Sequence, residues 1–63
     1  MNTEEITRLE AVKDAIYHLS LSNKAITVQQ IREASGVNNP EHEIEVLRKK
    51  GIIMQIKGEI LWV

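Results

Sequence analysis

The apolar residues of the first twenty positions recur at intervals of three and four. This spacing puts them on one side of a helix, so it predicts an amphipathic helix that is capped by Asn2 or Thr3 and fails around Ser20 to Lys24. The predicted stripe consists of Ile6, Leu9, Val12, Ile16 and Leu19, with Ala15 beside it. We expect this stripe to support the elements that follow.

A second helical pattern follows the polar break. Thr27 and Gln30 have the spacing of a capping box, in which each side chain bonds the backbone N–H of the other residue, so a helix is expected to begin at Val28. Gly36 can supply the positive φ that a helix C-terminus commonly needs. The predicted inward positions of this short helix are Val28, Ile31 and Ala34.

A third helix is predicted after a short turn. Asn39 is a good N-cap, and Pro40 fits the first helical position because its missing N–H costs nothing there. The helix should run to about Lys50 and be closed by Gly51. Its predicted inward residues are Ile44 and Leu47.

The last twelve residues predict a β-hairpin. They are rich in β-branched residues, and Lys57-Gly58 can form a two-residue turn. In that register Ile56 lies opposite Glu59. Both faces are apolar, one with Ile52, Met54, Ile56, Leu61 and Val63, the other with Ile53, Ile60 and Trp62.

Helix, glycine-centred turn, helix and hairpin together resemble the winged helix-turn-helix superfamily. The residues that carry the resemblance are Ile31, Ala34, Gly36, Val37, Ile44, Leu47, Gly51, Ile52 and Ile53. The resemblance implies an α+β fold of three helices followed by a β-hairpin wing, in one domain of residues 1–63. It also implies a short strand at Ala25 and Ile26 that pairs with the wing. In DNA-binding relatives, the first turns of the third helix enter the major groove.

Composition favours a small globular protein. The chain has 63 residues, of which 43% are hydrophobic and 27% charged, and it has no cysteine. The first ten residues carry acids where a secretory signal would carry Lys or Arg. No apolar run approaches the roughly 20 residues of a membrane span. We therefore expect a soluble, cytoplasmic protein that does not associate with membranes.

Enzymatic chemistry has little support in the sequence. His18 and His42 lie on different predicted helices and lack the Cys or carboxylate spacing of a metal site. No Gly-rich phosphate loop is present, and no Ser or Thr has a base at suggestive spacing. We expect no catalytic residue, no metal and no cofactor.

The charge of the chain limits its possible ligands. Eight basic and nine acidic residues give a net charge of −1, so a DNA-binding surface would need its cations concentrated on one face. Glu41, Glu43 and Glu45, in the first turns of the third helix, are expected to repel phosphates. The candidate DNA contacts are Arg32, Asn38, Asn39, His42, Arg48, Lys49, Lys50 and Lys57.

The sequence is compatible with two functions. One is a regulator or accessory factor in transcription that binds double-stranded DNA. The other is a protein-interaction module that holds a protein partner with its acidic third helix and the apolar face of its wing. Ile60 and Trp62 are the predicted protein-interface residues, and their burial between two copies would give a homodimer.

Overall fold

Three helices and a hairpin follow one another in the order that the sequence predicts. The computed structural model describes residues 2–63, so Met1, the first residue of the predicted domain, lies outside the described residues. The elements are α1 (Thr3–Ser20), α2 (Val28–Ser35), α3 (Glu41–Lys49), β1 (Ile53–Ile56) and β2 (Glu59–Trp62). This α+β architecture confirms the predicted fold class and has the layout of a winged helix-turn-helix.

The ends of the first two helices are fixed by short-range hydrogen bonds. The backbone N–H of Glu5 donates to Asn2 Oδ1 at 2.8 Å, which makes Asn2 the cap of α1. Both halves of the capping box between Thr27 and Gln30 are formed at the start of α2. Gly36 ends α2 with a φ of 75°. These local predictions are confirmed.

The start of α3 differs from the prediction by one residue. Pro40, rather than Asn39, is the N-cap, and α3 begins at Glu41 without a side-chain cap. The proline ring is buried, and the Pro40 carbonyl accepts the first helical hydrogen bond, from the N–H of Ile44 at 2.9 Å. Burial of the ring therefore fixes the helix entry, while the Asn39 side chain stays exposed in the turn.

The hairpin has the predicted register. Ile56 lies opposite Glu59 in the antiparallel pair, and Lys57 and Gly58 form the turn with φ values of 52° and 81°. Positive φ at both turn residues is typical of a type I′ turn, whose twist matches that of the flanking strands. Ile26 and Ile60 exchange backbone hydrogen bonds of 2.9 and 2.8 Å, which confirms the expected pairing before α2. β2 therefore lies between Ile26 and β1.

The core lies where α1, the two shorter helices and the inner side of the hairpin meet. Its buried members are Val12, Ile16, Ile26, Ile31, Ile44, Leu47, Ile53 and Ile60. Ile6, at one end of the predicted α1 stripe, is 48% exposed, because α1 has 18 residues and packs against helices of eight and nine residues. Ala34 is likewise exposed.

The prediction that Ile60 lies at a protein interface is wrong. It is 0% exposed, because the side of the hairpin that carries it packs on the helices. The apolar face left in solvent is the opposite one, which carries Met54, Ile56 and Val63. Within the described residues, no helix combines the length and the apolar character that crossing a membrane requires.

Candidate nucleic-acid interface

The two sides of α3 are chemically different. Ile44 and Leu47 point into the core, and a period of 3.6 residues puts His42, Glu45 and Lys49 on the opposite side. His42 and Lys49 are exposed, and Glu45 is partly exposed. The outward side of the helix therefore presents one imidazole, one carboxylate and one ammonium group.

Glu43 is not part of that outward surface. Its side chain is 5% exposed and lies 3.8 Å from a guanidinium nitrogen of Arg8 on α1. Glu43 shares the inward side of α3 with Leu47, four residues later, and this position turns the carboxylate toward α1. The expectation that Glu43 repels phosphates is therefore wrong, because the buried carboxylate and the Arg8 cation form a contact between α1 and α3.

Glu45 is paired with a cation of its own helix. Arg48 donates from Nε at 3.2 Å to one Glu45 carboxylate oxygen and from a terminal nitrogen to the other. These hydrogen bonds lower the pKa of Glu45 below its ordinary value and raise the pKa of Arg48. Glu41 remains as the exposed carboxylate of the first turn, where the positive end of the helix dipole favours it.

Arg32 acts on the turn between α2 and α3. Its Nε donates to the backbone carbonyl of Asn38 at 3.0 Å, and a terminal nitrogen donates to Gln29 Oε1 at 2.7 Å. The guanidinium thus supports the turn that leads into α3. Asn38 and Asn39 are exposed in this turn and border a shallow groove together with Arg8.

The remaining candidate cations are Lys49, Lys50 and Lys57, and all three are exposed. Among residues 2–63, no carboxylate lies within ion-pair distance of any of them. Lys49 and Lys50 are at the C-terminal end of α3, next to the base of the hairpin. Lys57 is at its tip, roughly 13 Å further on for a strand of four residues.

The aromatic and histidine side chains do not add a second site. Trp62 is partly buried and meets Tyr17 edge to face, with ring centroids 5.3 Å apart, so it packs β2 against α1. His18 bonds the Asp14 carbonyl of its own helix. In the described part of the chain, no group of three His, Cys, Asp or Glu side chains could hold a metal ion.

Arg8 is the residue of this region that the sequence does not reveal. It belongs to α1, far in sequence from Glu43 and the turn residues, and its position outside the apolar stripe indicates an ordinary solvated residue. Its role follows only from the packing of α1 on α3.

Comparison with protein-family models, curated proteins and solved structures finds no match for this chain.

Proposed function

We propose that this chain is a winged helix-turn-helix protein that binds double-stranded DNA as a regulator or accessory factor in transcription. The phosphate contacts are made by Lys49 and Lys50 at the end of α3 and by Lys57 at the tip of the wing. In this role the chain acts in the cytoplasm, without a cofactor and without catalysis.

The proposal rests on a difference in pairing on α3, where two of the carboxylates have cationic partners and two of the lysines have no anionic partner among the described residues. Glu43 is buried against Arg8, and Glu45 is engaged by Arg48. Lys49 and Lys50, by contrast, are exposed and unpaired within residues 2–63. These two ammonium groups are therefore available to phosphates despite the net charge of −1.

Base contacts in this proposal come from the other end of the helix. Asn39 and His42 are exposed at the turn and in the first turn of α3, where DNA-reading helices place side chains against base edges. Asn can pair with adenine in the major groove. Arg32 contributes indirectly, because its hydrogen bond to Asn38 supports the turn.

Fluorescence anisotropy with a labelled random-sequence duplex at low salt tests the proposal. Replacing Lys49 and Lys50 together with Gln should weaken binding roughly ten- to hundredfold, and equally on every duplex, because phosphate contacts do not read sequence. A matched control replaces Lys13 and Lys24 with Gln, which removes the same charge from α1 and the loop after it. If both double variants lose affinity equally, only net charge matters and the proposed surface is wrong.

The second candidate function is protein binding through the apolar wing face. It is favoured by the exposure of Met54, Ile56 and Val63, at 46, 48 and 67%. Glu41→Lys distinguishes the two functions, because Glu41 is exposed and its replacement leaves the core intact. If the natural chain binds no duplex at low salt and Glu41→Lys creates binding, protein recognition becomes the better account.

A further inference from the structure

The solvent-facing side of the hairpin, here called the outer face, is almost entirely apolar. Cross-strand pairs place Met54, Ile56, Glu59 and Leu61 on it, and the exposed Val63 follows at the base, whereas Ile52 opposite Val63 packs against the core. Glu59 is the single polar member of this set. Met54 and Ile56 expose nearly half of their surface and Val63 two thirds, and apolar patches of this kind mark interaction sites.

Charge is arranged asymmetrically along the outer face. Glu59 lies opposite Ile56, next to the turn that carries Lys57, and so puts a carboxylate on the outer face near the tip. At the base, Arg48 borders the same groove as Met54 and Val63. The outer face therefore has an acid at one end, a cation at the other end, and apolar side chains between them.

We infer that a second copy of this chain covers the outer face, with the two hairpins packed face to face and antiparallel. A two-fold axis lays the tip of one hairpin over the base of the other, so that Glu59 of each copy meets Arg48 of its partner. Such an interface is self-complementary, because each contact occurs twice. The present partner of Arg48, Glu45, forms an exposed ion pair, and pairs of that kind contribute little, so Arg48 can exchange it for Glu59.

Sedimentation equilibrium without DNA tests the apolar part of this interface. The natural chain should shift from 7.2 kDa toward twice that mass as its concentration rises through the micromolar range. Met54→Lys should weaken dimerisation roughly fivefold or more, because it places a charge in the middle of the interface. Leu21→Lys is the matched control, since Leu21 is 68% exposed on the loop after α1, away from the outer face.

A charge reversal tests the orientation of the two copies. Glu59→Arg should weaken the dimer, because the arginine introduced in each copy then faces Arg48 of the other copy. Adding Arg48→Glu should restore the association, whereas adding Lys13→Glu to Glu59→Arg should not. Circular dichroism and thermal melting of each variant confirm that it is folded, which is expected because none of the substituted side chains belongs to the core.

Two results would overturn the inference. The first is a natural chain that stays at 7.2 kDa at high micromolar concentration, which would leave the outer face to a foreign partner. The second is a dimer that responds equally to Met54→Lys and Leu21→Lys, which would place the interface elsewhere. Neither result affects the DNA-binding proposal, because no duplex is present.

Discussion

Replacing Arg8 with Met removes the cation that faces a buried carboxylate. Glu43 is 5% exposed, and its Oε1 has no hydrogen-bond partner among the described residues. At 3.8 Å, the attraction between the two charges is about 4 kcal/mol at an effective dielectric constant near 20. The side chain of Arg8 is 44% exposed, so water screens the pair and offsets part of that attraction.

The expected net cost of Arg8→Met is about 1–3 kcal/mol, because the carboxylate stays buried without its partner. For a domain of this size, about 1 kcal/mol lowers the melting temperature by roughly 4–8 °C. Glu43→Leu removes the buried charge instead, and apolar replacement of buried ionic groups is often neutral or stabilising. The double variant with both replacements should therefore be more stable than Arg8→Met alone.

The free energies of unfolding of the natural chain and these three variants, measured by thermal and urea unfolding, form a double-mutant cycle. Lys13→Met is the control, because it breaks the exposed pair of Lys13 with Glu10, and such pairs contribute at most about 1 kcal/mol. If Arg8→Met and Lys13→Met cost the same, or if Glu43→Leu destabilises more than Arg8→Met, the proposed role of Arg8 in compensating a buried charge is refuted.

Three other variants probe the core, the Glu45–Arg48 pair and the DNA-reading end of α3. Leu47→Ala should cost about 2–5 kcal/mol, since Leu47 is 1% exposed, while Leu21→Ala at the surface should cost less than about 0.5 kcal/mol in urea unfolding. An NMR pH titration should show the pKa of Glu45 below its ordinary value, and Arg48→Gln should raise it, because the hydrogen bond with Arg48 is the largest cause of the lowering. The stabilisation by this pair is accordingly present above pH 4.5 and lost as the pH falls through the lowered pKa. His42→Ala should change the preference among duplex sequences more than the affinity for random DNA, as measured by competition binding.

Features that depend on neighbouring residues could be predicted from the sequence. The capping box at Thr27, the end of α2 at Gly36 and the turn at Lys57 are each set by the backbone preferences of a few adjacent residues. The hairpin register follows from the position of that turn, and the structure confirms it.

Features that depend on which side of an element faces the core could not be predicted in the same way. Both faces of the hairpin are apolar, so a period of two does not decide whether Ile60 or Met54 is buried. Glu43 is one of three glutamates in the first turns of α3, and the sequence alone predicts that its carboxylate is solvated. Only the tertiary arrangement brings Arg8 to it.

The salt dependence of DNA affinity reports directly on the phosphate contacts proposed for Lys49, Lys50 and Lys57. Three contacts predict that the logarithm of the association constant falls with the logarithm of salt concentration at a slope of about −2 to −3. Lys57→Gln should reduce the steepness of that slope by about 0.9. Lys24→Gln should leave the slope unchanged, because Lys24 precedes Ile26, which lies at the edge of the sheet opposite β1. Absence of binding at the lowest salt, or a slope that the two variants change equally, would show that these lysines do not make the phosphate contacts.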